Sequence, residues 1–434
     1  MQTEVQGDQG RRILPRVFYG WYIVSAGMGI HLWISIVWIY GMQVFFTPIV
    51  DTFGWSRAAV SGAFGLQRLE GSVVAPVEGF LIDRIGPRKM IMAGSFITGL
   101  GLISLSFLST IWMFYLSVLL VSLGVSAASG TPRNWAIVQW FRRLRGRALG
   151  IGASGAVASG PMLFIVVWLV ETLGWRASFL VLGIATWFIL IPLGLVFRSR
   201  PREYGLLPDG DPPDEAASET ALGSVPSRGR LAEVQESESL TVIQALKTPA
   251  FWTLSMIFGA QTMGVSGLMV HLIPYLQTIG FSTAEAASVL AFFTVLSVFG
   301  RLGGGWIMDY VDPRFVLAGL LGCLAAGFIL LANITAYWQV VPFALLYGTA
   351  FGGMLPARSL LVSNYFGTQN FGALQGLTRS VTVVAGVVSP VLLGLVFDLT
   401  ESYVLAFYIL TVVAAAAIPL ALMARPPKMP VQTT

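Results

Sequence analysis

Apolar runs of about 20 residues recur along the whole chain, separated by short polar or basic turns. Twelve can be bounded, at 18–46, 57–80, 90–109, 112–136, 148–170, 177–197, 251–276, 284–307, 315–333, 337–362, 373–396 and 402–424. A stretch of ~20 apolar residues is what a helix needs to cross the hydrocarbon core. Backbone groups in lipid must be satisfied within the segment, so the runs predict helices. One segment breaks the rhythm. Residues 199–247 are polar, with Pro212, Pro213 and scattered acids and serines, which predicts a linker. The pattern therefore divides the chain into a six-helix half at 1–198, the linker at 199–247, and a second six-helix half at 248–434.

Composition agrees with this all-α membrane reading. Of 434 residues, 55% are hydrophobic and only 11% charged, with a mean hydropathy of +0.76. A soluble chain carries about 25% charged residues. The first run follows a basic lead (Arg11, Arg12, Arg16) without a small-residue cleavage site, so it reads as a retained helix and not a signal peptide. With the N-terminus inside, inner loops receive Arg84, Arg88, Lys89, Arg142, Arg143, Arg145, Arg147, Arg198, Arg200, Arg202, Arg314, Arg425 and Lys428, and outer loops only Arg57 and Arg176. That bias predicts cytoplasmic termini in a cell inner membrane. The net charge of +5 is then a topological signal and gives no support to nucleic-acid binding. Cys323 is the sole cysteine and sits in an apolar run, so no disulfide, metal site or cofactor is expected.

The two halves match each other after 226 residues. Pro48, Thr52, Gly54 and Ser56 recur as Pro274, Thr278, Gly280 and Ser282. Gly79, Asp83, Pro87 and Arg88 recur as Gly305, Asp309, Pro313 and Arg314, with no gap between 48 and 88. The repeated positions are turns and charges, so shared hydrophobicity does not explain them. Two matching bundles can rock about a site held between them.

The loop after the second run, Gly79-Phe80-Leu81-Ile82-Asp83-Arg84-Ile85-Gly86-Pro87-Arg88-Lys89, resembles the signature of the major facilitator superfamily and departs from it at Pro87. Further stretches are similar to its monocarboxylate transporter and oxalate–formate exchanger branch. They are Phe45 through Ser61, Trp140-Phe141-Arg142-Arg143 before Gly150, Gly174-Trp175-Arg176, Arg202 through Gly210, and His271 through Tyr275. The resemblance implies twelve transmembrane helices in two pseudo-symmetric six-helix bundles. It also implies alternating access, with small organic anions as substrates. Asp83, Arg84 and Arg88, with Asp309 as the repeat of Asp83, are implied to hold one closed conformation.

Ionisable residues inside membrane helices are costly and mark functional positions. Arg68, Arg133, Arg301, Arg358 and Arg379 fall inside predicted helices, against Glu70 at similar depth and Glu78 near the inner end. This excess of arginine suits an anion, because the guanidinium fork donates two parallel hydrogen bonds to a carboxylate. Arg301 lies four residues before Gly305, about 40° around the helix and so near the same face. It also resembles the eighth-helix arginine that binds substrate carboxylate in the monocarboxylate branch. Arg379 lies early on the eleventh helix, where that branch often places a basic residue. Arg68 falls about 20° from the Gly79 face, whereas Glu70 falls about 180° away. Arg133 and Arg358 are repeat partners at an offset of 225, which favours gating or structure over asymmetric binding. The two histidines, His31 and His271, admit substrate contact, proton handling or plain packing. Tyr40, Asn134 and Tyr275 are polar enough to complete a binding site. Ser297 stands where proton-coupled members of the branch have an Asp, one turn before the arginine.

The resulting expectation is a secondary transporter of a small organic anion, functional as a monomer, with proton coupling and anion exchange both open. The rivals are a multidrug or cation exporter of the same fold, which the arginine excess disfavours, and a membrane sensor that binds without moving its ligand. The sequence holds no nucleophile elbow or phosphate loop, so an enzyme is not expected.

Overall fold

The structure is a computed structural model that describes residues 17–55, 57–210 and 239–427. The first half comprises α1 (Tyr19–Ile34), a π-helical turn (Ser35–Tyr40), α2 (Met42–Phe53), α3 (Arg57–Ile85), α4 (Pro87–Ser106), α5 (Ile111–Ala128), α6 (Thr131–Trp140), α7 (Arg145–Ser154) and α8 (Ser159–Leu195). The second comprises α9 (Val242–Leu246), α10 (Pro249–Thr278), α11 (Thr283–Phe299), a π-helical turn (Gly300–Gly304), α12 (Gly305–Met308), α13 (Pro313–Ala332), α14 (Val340–Phe366), α15 (Phe371–Thr400) and α16 (Val404–Met423). Among the described residues there is no strand.

Ten helical stretches of the described residues are long and apolar enough to cross a membrane. Two expected runs do not stand among them separately. The 29-residue α3 has the length, but Arg68, Glu70, Glu78, Asp83 and Arg84 lower its hydropathy. The run at 148–170 is divided among α7, a 3-10 turn (Gly155–Ala158) and the start of α8, which bends at Gly174 (φ 77°) and continues through the next run. Of these elements, α3 and α7 lie where the halves touch.

Local chemistry sets the helix starts. Pro87, Pro249 and Pro313 each open a helix, where a missing N–H costs nothing. Thr110 and Thr248 accept from the backbone N–H three residues on, and Ser282 with Glu285 forms a full capping box. Gly130 (φ 49°) breaks the fourth run into α5 and α6 and sets Arg133 and Asn134 on their own short helix. The two π turns carry Tyr40 and Arg301, and such turns are frequent at functional positions.

Within the halves, α4 packs on α5 and α8, α10 on α15, α11 on α14, and α13 on α14 and α16. The halves meet where α3 runs along α15 and α7 runs along α12 and α14. Glycine makes this seam close. A Cβ on Gly79 would lie 2.7 Å from the Gly372 carbonyl carbon, and one on Gly305 would lie 2.5 Å from the Gly146 oxygen. Hydrogen bonds that join the halves cluster nearer the end that carries Asp83, Asp309 and the basic loops, here termed the basic end.

Candidate functional site

Two related latches close the basic end. The Asp83 carboxylate accepts from the backbone N–H groups of Gly372 (3.2 Å) and Ala373 (3.0 Å), at the start of α15 in the other half, and from Trp135 Nε1 (2.8 Å). The Asp309 carboxylate accepts from the N–H groups of Gly146 (2.7 Å) and Arg147 (3.1 Å), at the start of α7. Adding 226 to Asp83 gives Asp309, and adding 226 to Gly146 and Arg147 gives Gly372 and Ala373. A helix N-terminus presents unpaired N–H groups and partial positive charge, which a carboxylate satisfies. Arg147 adds an ion pair to Asp309 at 3.4 Å, donates to the Tyr310 hydroxyl and lies 5.0 Å from that ring. Burial pushes the Asp309 carboxyl up to about 6, against the opposing pull of these amides and of Arg147. Arg84 and Arg88 are exposed beside the latches and form no part of them.

The linker holds the same region from outside. Asp209 accepts from the N–H groups of Arg142 (3.0 Å), Arg143 (2.7 Å) and Leu144 (3.3 Å), just ahead of α7. Arg198 is sandwiched between the rings of Tyr19 and Tyr204 at 4.0 and 4.4 Å. At the linker's far end, Ser239 Oγ accepts from Gln369 N–H, and Asn370 Nδ2 donates to Leu240 O, just ahead of α15.

Deeper between the halves lies a cationic group. Arg301 is 3% exposed and Arg133 6%. Arg301 reaches across the seam to donate from Nη1 to Ala153 O (2.8 Å), while its Nε is buried without a partner. The close approach of Gly150 to the Arg301 backbone, and of Gly305 to Gly146, aims the arginine there. Arg133 donates to Gly152 O (3.1 Å) and twice to Asn134 Oδ1. Among the described residues neither guanidinium has a carboxylate within 4 Å. The two arginines act on each other and on His31, whose ring lies against the Gly152–Ala153 backbone. Tyr40 falls within electrostatic range of Arg301. Asn134 Nδ2 crosses the seam to Ser359 Oγ (2.9 Å), which also accepts from Gln375 Nε2 (2.9 Å). The structure therefore brings together His31, Tyr40, Arg133, Asn134 and Arg301. The sequence reading passed over Ser359 and Gln375. Ser359 was reachable, because it lies 225 residues from Asn134, the same offset that links Arg133 to Arg358.

A second set sits on α3 and α15. Glu70 and Glu78 face α5, where their Oε2 atoms accept from Ser122 and Ser126, both at 2.6 Å. Arg379 is exposed on α15, within electrostatic range of Glu78 and Arg358. Arg358 turns into its own half. It donates to Phe258 O, Gln261 Oε1 and Thr262 Oγ1 at 3.4, 3.3 and 3.2 Å and lies 4.9 Å from the Phe258 ring centre. The Arg68 side chain lies outside the described residues.

Two expected ligands stand elsewhere. His271 is tied to Pro390 O (2.9 Å) and Tyr403 OH (3.3 Å), and Tyr275, 2% exposed, donates to Leu331 O (2.6 Å). These bonds fasten α10 to its own half. They occupy the polar atoms that the sequence reading assigned to substrate, so neither residue joins the arginine group.

The fold has known counterparts. The chain is 27% identical over 376 residues to YcxA, an MFS-type transporter of Bacillus subtilis (strain 168), covering 84% of this chain and 85% of that one. It is 24% identical over 395 residues to monocarboxylate transporter 13 of Rattus norvegicus, covering 90% and 85%. The structure superposes on the fucose:proton symporter FucP of E. coli with a TM-score of 0.68 at 14% identity, covering 95% of this chain and 100% of that one. It superposes on the proton:xylose symporter XylE with a TM-score of 0.69, also at 14%, covering 94% and 96%. The sequence profile of the Major Facilitator Superfamily matches residues 28–390, so this chain belongs to that superfamily of membrane transporters and is not an enzyme.

Proposed function

We propose that this transporter carries small organic anions, monocarboxylates foremost, by alternating access. One observation carries the reading: Arg133 and Arg301, from opposite halves, are buried together with no carboxylate of the described residues within 4 Å of them. Buried cations that lack a counter-ion are expensive, and a carboxylate arriving between them supplies the missing charge. Arg301 is the primary ligand, with a fork that suits two carboxylate oxygens. Tyr40, Asn134, His31 and Ser359 shape the remainder of the pocket. Arg379 stands on the exposed approach and draws the anion in.

Residues 1–198 and 248–434 act as the two rocking bodies, joined by 199–247. The positive-inside bias puts the basic end and both termini in the cytoplasm of an inner-membrane protein. The present state is then closed to the cytoplasm, and the Asp83 and Asp309 latches hold it so. An anion that bridges Arg133 and Arg301 draws Arg301 off the Ala153 carbonyl, which frees that flank of the seam. A cation exporter fits poorly, because Glu70 and Glu78 on α3 are tied to Ser122 and Ser126 and do not line the arginine group.

Uptake of radiolabelled monocarboxylates into proteoliposomes tests the reading. Arg301→Ala is expected to abolish uptake. Arg301→Lys keeps the charge but loses the fork, and a charge-assisted bond is worth about 1.5–3 kcal/mol, so KM is expected to rise roughly 10–150-fold. Undiminished uptake by Arg301→Ala would overturn the assignment.

A further inference from the structure

Glu78 is 4% exposed and sits beside Gly79, in the tightest part of the α3–α15 seam. Its Oε2 accepts one hydrogen bond, from Ser126, and its Oε1 is buried with no partner. An ionised carboxylate has two oxygens that each seek donors. Among the described residues the groups that act on it are few. Arg379 comes from α15, Glu70 from α3 itself, and α5 offers the neutral hydroxyl of Ser126, while Ser122 bonds Glu70. Among the described residues no cation lies within 4 Å of it. Such an environment suits a neutral carboxyl group. Rocking of α3 against α15 would change both the side from which Glu78 meets water and its distance to Arg379. The mechanism above leaves this group unused, and Ser297 removes the acid expected one turn before Arg301.

We propose that Glu78 is a proton-binding site, coupled to the cargo through Arg379. The coupling rests on the organic-anion reading. Ionised Glu78 and the cargo carboxylate compete for the one Arg379 charge. An anion that engages Arg379 leaves Glu78 to take a proton from water on the open side, forming its O–H bond. After the halves rock, the anion leaves to the other side. The O–H bond then breaks, the proton passes to water, and the Glu78 carboxylate is balanced by the freed Arg379. One proton thus crosses with each anion, and no other reactant is needed.

The test uses the full chain in liposomes with a monocarboxylate gradient and a pH-sensitive dye. The wild type is expected to move one proton per anion. In E78Q the protons moved per anion should fall at least tenfold, while labelled anion still exchanges for unlabelled anion, a mode that needs no proton cycle. E78D, which restores the carboxyl group, should recover the coupling. Infrared difference spectroscopy gives a readout independent of transport: a protonated-carboxyl stretch at neutral pH that E78Q lacks. Retained proton movement in E78Q, or a band that survives the substitution, would overturn the site. A wild type that moves no monocarboxylate would instead overturn the anion reading and the coupling with it, and the infrared band would still decide whether Glu78 holds a proton.

Discussion

The glycine seam at the basic end gives a steric prediction that needs no assumption about cargo. In Gly79→Ala the new Cβ would lie 2.7 Å from the Gly372 carbonyl carbon and 2.8 Å from the Ala373 Cα. Carbon atoms rest at about 3.5–4.0 Å, so the opposing backbone must retreat by about 1 Å. Both neighbours are main chain at the start of α15, so no side chain can rotate aside. Overpacking of this kind costs about 1–3 kcal/mol. The cost falls only on the state in which α3 and α15 touch. The ~1 kcal/mol that alanine adds to helix propensity falls on both states and cancels. The equilibrium should therefore shift away from the closed basic end by roughly 5–150-fold. Spin labels at Arg88 and Gln369, both exposed and on opposite halves, report the gap in a Cys323→Ser background. Gly79→Ala should populate longer distances, whereas Gly71→Ala, on the same helix with nothing within 4 Å of its Cβ, should not. An unchanged distance distribution in Gly79→Ala would refute the argument.

Two further outcomes can be read with similar tools. Asp309 is raised to about 6 in the closed state by burial and returns towards the ordinary carboxylate range when the seam opens. The closed state thus binds the extra proton: acidification from neutral towards pH 5 should increase its population, and Asp309→Asn should remove the part of that gain that is lost as pH rises through about 6. Asp209→Ala removes the acceptor for three backbone N–H groups ahead of α7, a loss of about 1–2 kcal/mol by analogy with helix caps. Hydrogen exchange at 142–144 should quicken roughly 5–30-fold, and unchanged rates would count against the linker as a brace.

Much of the framework could be read from residue order alone. The 226-residue offset paired Asp83 with Asp309, and the four-residue spacing of Arg301 from Gly305 put that side chain near the Gly305 face, which the family resemblance implied borders the opposite half. Both inferences use helical periodicity or internal repetition, which are written locally in the chain. What escaped depends on distant partners. His271 and Tyr275 looked available because the Pro390 and Leu331 carbonyls that occupy them lie 119 and 56 residues away. Asp209 sat in a recognisable stretch, but its three amide partners come from a loop about 65 residues earlier. The π turns at Tyr40 and Arg301 left no periodicity signal, since one extra residue per turn is invisible in runs that are apolar on every side.

The reciprocity of the two latches has a consequence for selectivity. Each half gives an acid to the other half's helix and receives one in return, which is how identical subunits dock around a twofold axis. A scaffold of that kind treats its two flanks as equivalent, while a monocarboxylate has a charged head and a different tail. Orientation of the cargo must come from positions where the duplication has been broken. Arg301 is such a position: its counterpart 226 residues earlier is Ala75, a methyl group where the other half carries a guanidinium.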